Sequence, residues 1–244
     1  MKPEKRLVPT APFALLPTCP AHKVSRRDVL KMSFALGALG FATGPLAAEK
    51  EGGLDFNGPM PTPDQILGPF YPVQKPFDGG NDLTRLKGRA GEAKGEVIYV
   101  AGQVLNLRGE PCPNVNLEIW QANGAGRYTH PHDRNPAALD PNFEGYANVR
   151  TDAQGRYRFR TVKPGAYPVV ADYWRPPHIH FDVTGRINRL ITQMYFPDEP
   201  LNKKDPLLQQ SWAKDSLIAK VLPPTANDEK ATSLVVWNIV LIQG

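Results

Sequence analysis

His178-Ile179-His180 is the stretch of this chain best placed to do chemistry. In an extended strand alternate side chains face the same way, so two histidines two apart share one face. Ile179, Phe181 and Val183 then take the opposite face, toward a core. Pro176 and Pro177 stand just before, holding the backbone extended and offering no donors. Trp174 and Arg175 add an apolar wall and a fixed positive charge. Such a stretch can hold a metal through neutral imidazoles. Equally, it can be a partly exposed edge strand whose histidines only hydrogen-bond.

The remaining histidines after the N-terminal segment are His130 and His132. A cupin would need a Glu shortly after the HxH, where Thr184 and Gly185 stand. An HxHxDH site is matched at Asp182 but not at Val183. A mononuclear zinc hydrolase would take His130 or His132 as its third ligand. Tyrosine offers another set. Tyr128 lies in a Gly-Arg-Tyr turn and Tyr167 in a Pro-Gly-Ala-Tyr-Pro turn. A phenol titrates near pH ~10 and becomes a good ligand only to a highly charged ion. Two phenolates with two neutral imidazoles suit ferric iron, a hard trivalent ion. Taken singly, each tyrosine reads first as a packing residue.

The elements that must position these residues read as short strands. Val97 to Val104 alternates, Arg108-Gly109-Glu110-Pro111 is a turn, and Val115, Leu117 and Ile119 alternate against Asn116, Glu118 and Trp120. Gln121 to Phe143 is a long irregular excursion, of the kind that often carries function. Asp152 to Gly155 is a tight turn before a strand presenting Tyr157, Phe159 and Thr161. Leu190 to Phe196 is a strand, Leu207 to Val221 reads as a short helix, and Ser233 to Ile242 closes the domain as a strand. This spacing predicts an all-β fold, a β-sandwich with long active-site loops. The high Pro and Gly content, 26 and 21 of 244 residues, agrees.

Three segments are expected. Residues 1–48 read as an export signal: Ser25-Arg26-Arg27-Asp28-Val29-Leu30-Lys31 resembles a twin-arginine motif, and Met32 to Phe41 is too short to span a bilayer comfortably. Ala47-Ala48 offers small residues for cleavage, giving a periplasmic protein without a stable membrane anchor. Residues 49–95 form an N-terminal arm, in which Leu67-Gly68-Pro69-Phe70-Tyr71-Pro72 is a compact aromatic turn read as packing on the main domain. Residues 96–244 form the catalytic sandwich. Cys112 is then the lone cysteine of the exported chain, so no internal disulfide is expected. The net charge of +5 is modest and concentrated in the leader, and no basic stripe points to nucleic acid.

The runs EIWQANGAGRYTHPHD, LDPNFEGY, TDAQGRYRFRTVKPGAYP, WRPPHIHFDV and LITQMYF occur in that order between Glu118 and Phe196. In these the chain resembles the intradiol ring-cleavage dioxygenases, most closely the protocatechuate 3,4-dioxygenase type. The resemblance implies a non-haem Fe(3+) site with Tyr128, Tyr167, His178 and His180 as ligands. It implies that Arg175 stabilises negative charge on the substrate ring, that Gln193 lines the substrate cavity, and that Tyr167 leaves the metal as a base. The implied partners are a catechol-type small molecule and O2, the implied product a cis,cis-muconate-type diacid, and a homo-oligomer is compatible with it. The segment between Tyr167 and His178 is slightly shorter than in the protocatechuate enzymes, and Val169 replaces an aromatic residue there. The helical dimerisation segment of the catechol 1,2-dioxygenase branch is missing. Two other classes compete: a divalent-metal hydrolase using His130 or His132, and a sandwich that binds without catalysis.

Overall fold

The computed structural model describes residues 58–75, 80–170, 172–228 and 230–243. All belong to the compact unit Gly53–Gly244. The expected export signal, residues 1–48, lies outside the described residues, as does the start of the expected arm.

Eleven strands are named here among the described residues: β1 (Val97–Asn106), β2 (Asn116–Trp120), β3 (Tyr146–Arg150), β4 (Arg156–Val162), β5 (Tyr167–Val170), β6 (Tyr173–Arg175), β7 (His178–Thr184), β8 (Arg189–Tyr195), β9 (Lys220–Leu222), β10 (Ser233–Val236) and β11 (Ile239–Leu241). One sheet runs β3-β2-β7-β8, antiparallel throughout. The other is built on β1, which pairs antiparallel with β4 and parallel with β10 and β11, while β9 extends it beyond β10. β5 and β6 form a separate hairpin. The fold is all-β, two sheets with a shared core.

Alternation decides which side chains fill that core. Leu117 and Ile119 of β2, Ile179, Phe181 and Val183 of β7, and Ile98, Val100 and Val104 of β1 are all buried in one cluster. Phe181 packs against Tyr157 and Phe159 of β4 and against Trp237, which joins the two sheets through aromatic edges. The opposite face of β7 carries His178, His180 and Asp182, and these too are buried. The HxH strand is therefore not a partly exposed edge strand. It lies between β2 and β8, and its outer face is roofed by loops.

Two expected elements differ. Leu207 to Val221 holds only a single helical turn, α1 (Pro206–Gln209), then a 3-10 turn at Lys214–Leu217 and strand β9. Asp205 caps α1 by accepting from the Leu207 and Leu208 amides, and Pro206 opens it. Ser233 to Ile242 is two strands rather than one. The break falls at Trp237 and Asn238, where the Trp237 amide donates to Ala101 O and Asn238 Oδ1 accepts from the Gln103 amide. These bonds keep the chain beside β1 in one register, so β10 and β11 are two stretches of the same parallel pairing. No helix of the described residues is long and apolar enough to cross a membrane.

The described part of the arm has no strands of its own. Thr62 N donates to Val240 O, Gln65 N to Ile191 O, and Thr192 Oγ1 to Pro63 O, so the arm lies along β8 and β11. This tether delivers the Leu67–Pro72 turn to the roofed face of β7.

Candidate metal centre

Register across the β2-β7-β8 sheet sets the floor of the site. Trp120, His180 and Gln193 are paired across the three strands, and His178 pairs with Tyr195 in the next row. The Trp120 indole stacks on the His180 ring, with centroids 4.8 Å apart and planes within 12°. His178 Nδ1 lies 2.7 Å from Pro176 O. A carbonyl can only accept, so the proton is on Nδ1 and the Nε2 lone pair is free. That Nε2 is 3.2 Å from His180 Nε2, which is itself 3.2 Å from the Tyr128 hydroxyl. The second proline of the Pro-Pro pair thus has a clear use: it holds the preceding carbonyl where it orients the imidazole.

The two tyrosines arrive on loops. Asn123 Oδ1 accepts from the Ala125 and Arg127 amides, forming the turn before Tyr128, and Asp133 Oδ2 accepts from Tyr128 N at 2.7 Å. Tyr167 begins the β5–β6 hairpin, and its ring meets that of Tyr128 edge-on at 5.4 Å and that of His178 at 5.6 Å. Gly126 brings the loops together. Its φ is +82°, and a Cβ there would lie 2.2 Å from Ala166 O. Gly126→Ala should push the Tyr128 and Tyr167 loops apart and cost at least about 2 kcal/mol, the sum of a left-handed backbone penalty and a steric clash. Thermal melting together with metal content checks this; a variant with the parent's midpoint and metal retention would show that the loops tolerate separation.

Burial pushes the Tyr128 phenol well above its ordinary value, with Tyr167 adding to it, and pushes Tyr167 up as well, opposed by Arg175. Both are neutral phenols unless a strong cation takes their protons. Burial drives His178 and His180 the other way, well below the usual imidazole range, with Arg175 contributing to both. Two neutral imidazoles and two ionisable phenols converge with no carboxylate among them. Metal-free, the Tyr128 phenol and the single proton of neutral His180 can serve these 3.2 Å contacts, while the buried His180 Nδ1 has no partner; a cation would take up the same lone pairs. That donor set fits a hard, highly charged ion such as Fe(3+).

A pH dependence follows. An unfolded chain binds protons at both histidines below about pH 6.5. The folded, metal-free protein does not, so the unfolded state holds more protons and stability falls as pH drops through that value. The slope should approach about 1.4 kcal/mol per pH unit per histidine. Urea unfolding of metal-free protein between pH 5 and 8 reads it; an equal midpoint at pH 5 and 7 would mean that the folded imidazoles titrate normally.

Arg175 is buried beside the centre. Its Nε donates to Asp205 Oδ2 at 2.7 Å, and its Nη2 donates to Gln193 Oε1 at 2.7 Å and to the Tyr195 hydroxyl at 2.9 Å. Burial opposes its charge, but Tyr195, Tyr167 and Asp205 outweigh burial and hold it protonated. Arg175 and Tyr167 face a cleft of about 700 Å³ that also includes Phe70, Val169 and Leu207. Gln193 does not line this cleft. It is fully buried and lies behind Arg175, with Nε2 donating to Ile66 O in the arm.

His130 and His132 do not join the centre. The Phe70 ring packs on both Tyr128 and His130, at 4.8 and 5.7 Å, and the His130 and His132 rings meet edge-on at 5.3 Å. Among the described residues no group of three His, Cys, Asp or Glu could hold a metal, so a zinc site of that kind is not assembled. The Leu67–Pro72 turn, in contrast, does more than pack on the domain. Phe70 and Pro69 form cleft wall, Gly68 lies against the His180 ring, and Tyr71 meets Trp120 edge-on at 4.9 Å. Sequence reasoning did not single out Asp205, Tyr195 or Asp133. Asp-Pro is a recognisable helix start, but nothing local ties Asp205 to an arginine thirty residues earlier.

A family model described as "Dioxygenase" matches residues 66–243. The chain is similar to the protocatechuate 3,4-dioxygenase beta chain of Burkholderia cepacia, 44% identical over 181 residues, which cover 70% of this chain and 77% of that one. It is 33% identical over 153 residues to catechol 1,2-dioxygenase 2 of Acinetobacter lwoffii, covering 57% of this chain but only 52% of that protein. Among solved structures it resembles the dioxygenase domain of a dioxygenase–carbohydrate-binding fusion from Streptomyces sp. SirexAA-E, with a TM-score of 0.58 and 27% identity over 76% of this chain and 100% of that one.

Proposed function

We propose, from the premise that this chain belongs to the intradiol ring-cleaving dioxygenase family and is an oxidoreductase, that it splits a catechol between its two hydroxyls at a non-haem ferric site. Both atoms of O2 enter the product, a cis,cis-muconate-type diacid, and the role is in the breakdown of aromatic compounds. Tyr128, Tyr167, His178 and His180 would hold the metal. The observation that carries this is the convergence on His180 Nε2 of His178 Nε2 and the Tyr128 oxygen, each at 3.2 Å, with Tyr167 alongside. Bound ferric iron would act as a Lewis acid, drawing electron density from the bound ring and opening a ring carbon to dioxygen.

The protein's own groups divide the remaining work. Tyr128 is sealed from the cleft, whereas Tyr167 forms part of its wall. Tyr167, ionised to phenolate when the metal is bound, would thus be placed to take a proton from an incoming catechol hydroxyl and return to the neutral phenol. Arg175 has Nε and Nη2 committed to Asp205, Gln193 and Tyr195, which leaves Nη1 for the substrate. Its charge stabilises negative charge gathering on the ring, a preorganised electrostatic contribution. Phe70 and the indole of Trp120 exclude water around His180 and Tyr128.

Oxygen uptake by iron-replete protein with a panel of catechols, followed by product identification and metal analysis, tests the proposal. The expected product carries two added oxygens and an opened ring. Absence of uptake on every catechol with the metal site full would overturn it. Export belongs to the same proposal: changing Arg26 and Arg27 together to Lys should retain the protein in the cytoplasm, and undiminished delivery to the periplasm would count against the twin-arginine reading.

A further inference from the structure

The cleft in front of Tyr167 and Arg175 is larger than a dihydroxybenzene ring requires. At about 700 Å³ it falls within the span of pockets that enclose drug-sized ligands. Its polarity is uneven. The inner end holds Tyr167 and Arg175, while the outer part is walled by Ile66, Val169, Val170, Pro206 and Leu207. Ile66, Val169 and Val170 are 51%, 50% and 66% exposed, so this wall is uncovered by the described residues. Val169 stands out because the β5–β6 ladder shifts register between Pro168 and Val170, which turns aliphatic side chains into the cleft's outer part. Charge is sparse there. Asp133 is turned inward onto the Tyr128 and Asn135 amides, and Arg134 lies exposed at the rim. Apolar surface left in water beside a reactive end is a gain in free energy waiting for a ligand to cover it.

We infer that the outer part of the cleft is a subsite for a bulky apolar substituent, so that the preferred substrate is a catechol bearing a second aryl ring or a hydrocarbon group of similar size. This rests on the ring-cleaving reading of the inner end. Chemistry at that end is unchanged: one O2 is consumed per ring opened, and the substituent is carried through to the diacid. A ring carrying a carboxylate is the competing fit, because Arg134 could meet it at the rim.

The test compares 4-phenylcatechol, catechol and 3,4-dihydroxybenzoate on the full-length, iron-loaded protein, by calorimetric binding without oxygen and by oxygen uptake with it. The phenyl compound should bind and turn over with kcat/KM about tenfold or more above catechol, since even one added methylene in an apolar pocket can be worth that much. Val169→Trp fills the outer part and should lower the ratio of kcat/KM for 4-phenylcatechol to that for catechol by about tenfold. Val170→Trp, at a still more exposed position, repeats the test should the first variant fold poorly. Equal or better use of catechol or 3,4-dihydroxybenzoate overturns the subsite, as does an unchanged ratio in both tryptophan variants. If catechol is cleaved without preference for the phenyl compound, the subsite alone fails. If none of the three consumes oxygen while the iron is in place, the ring-cleaving reading fails with it.

Discussion

Tyr128→Phe should bleach the protein and release most of its iron. Phenolate bound to ferric iron absorbs in the visible, so the parent is expected to be red to burgundy, whereas a zinc site would be colourless. The substitution keeps the ring that Phe70 and Tyr167 pack against and deletes only the oxygen that lies 3.2 Å from His180 Nε2. Losing a partner one layer outside a metal costs 10–100-fold in affinity as an order of magnitude, and losing a ligand should cost more. The fold should survive, because the metal-free phenol is a buried hydroxyl whose removal costs at most about 1–2 kcal/mol. Tyr167→Phe should also lose or shift the band, and in addition slow the step in which the catechol gives up its proton. Absorbance, iron per chain and melting temperature, measured on the same preparations, separate ligation from packing. Two variants with the parent's colour, iron and turnover would dissolve the two-tyrosine, two-histidine centre.

Arg175→Leu should cut turnover by about 10²–10³-fold through the lost charge next to the ring. It should also destabilise the fold, because Asp205 has no exposed surface and is left without its cation. Removing one partner of a buried pair costs about 3–5 kcal/mol. The two losses can be separated. Arg175→Leu combined with Asp205→Asn removes the stranded charge but keeps a side-chain oxygen for the Leu207 and Leu208 amides. Stability should return to within about 1–2 kcal/mol of the parent, since replacing a buried pair is close to neutral. Turnover should stay low, and iron should stay bound, because neither residue is a ligand. Recovery of activity in the double variant would mean that Arg175 serves only to neutralise Asp205.

Gln193 and Tyr195 belong to the same unit. Both accept from Arg175, and the Tyr195 hydroxyl also donates to Gln193 Oε1 at 3.0 Å. Since Gln193 further donates to Ile66 O, the position of the guanidinium is tied to the arm that carries Phe70. The wall of the cleft and the charge inside it are therefore set by one hydrogen-bonded assembly rather than by separate loops.

Residue alternation alone is enough to say which faces exist. The alternation in His178-Ile179-His180-Phe181 assigned the histidines to one side and the core residues to the other, since the strand period of two is a property of the backbone alone. The same rule put Glu118 and Trp120 opposite Leu117 and Ile119, so the Trp120 that stacks on His180 was open to the same reasoning. Turn chemistry at Asn123 to Gly126 and at Pro164-Gly165 marked the loops that present Tyr128 and Tyr167. Tertiary structure decided what covers each face. That β7 lies between β2 and β8, that the Leu67–Pro72 turn reaches His180, and that Asp205 meets Arg175 all follow from chain segments distant in sequence. Such contacts depend on loop closure and on the register of separate strands, neither of which leaves a local period to read. The same limit explains the two misread elements. The apolar spacing from Leu207 to Val221 suits a helix as well as a turn and strand packed on the core, and the alternation of Ser233 to Ile242 keeps one register to β1 across Trp237 and Asn238, where the regular pairing is interrupted.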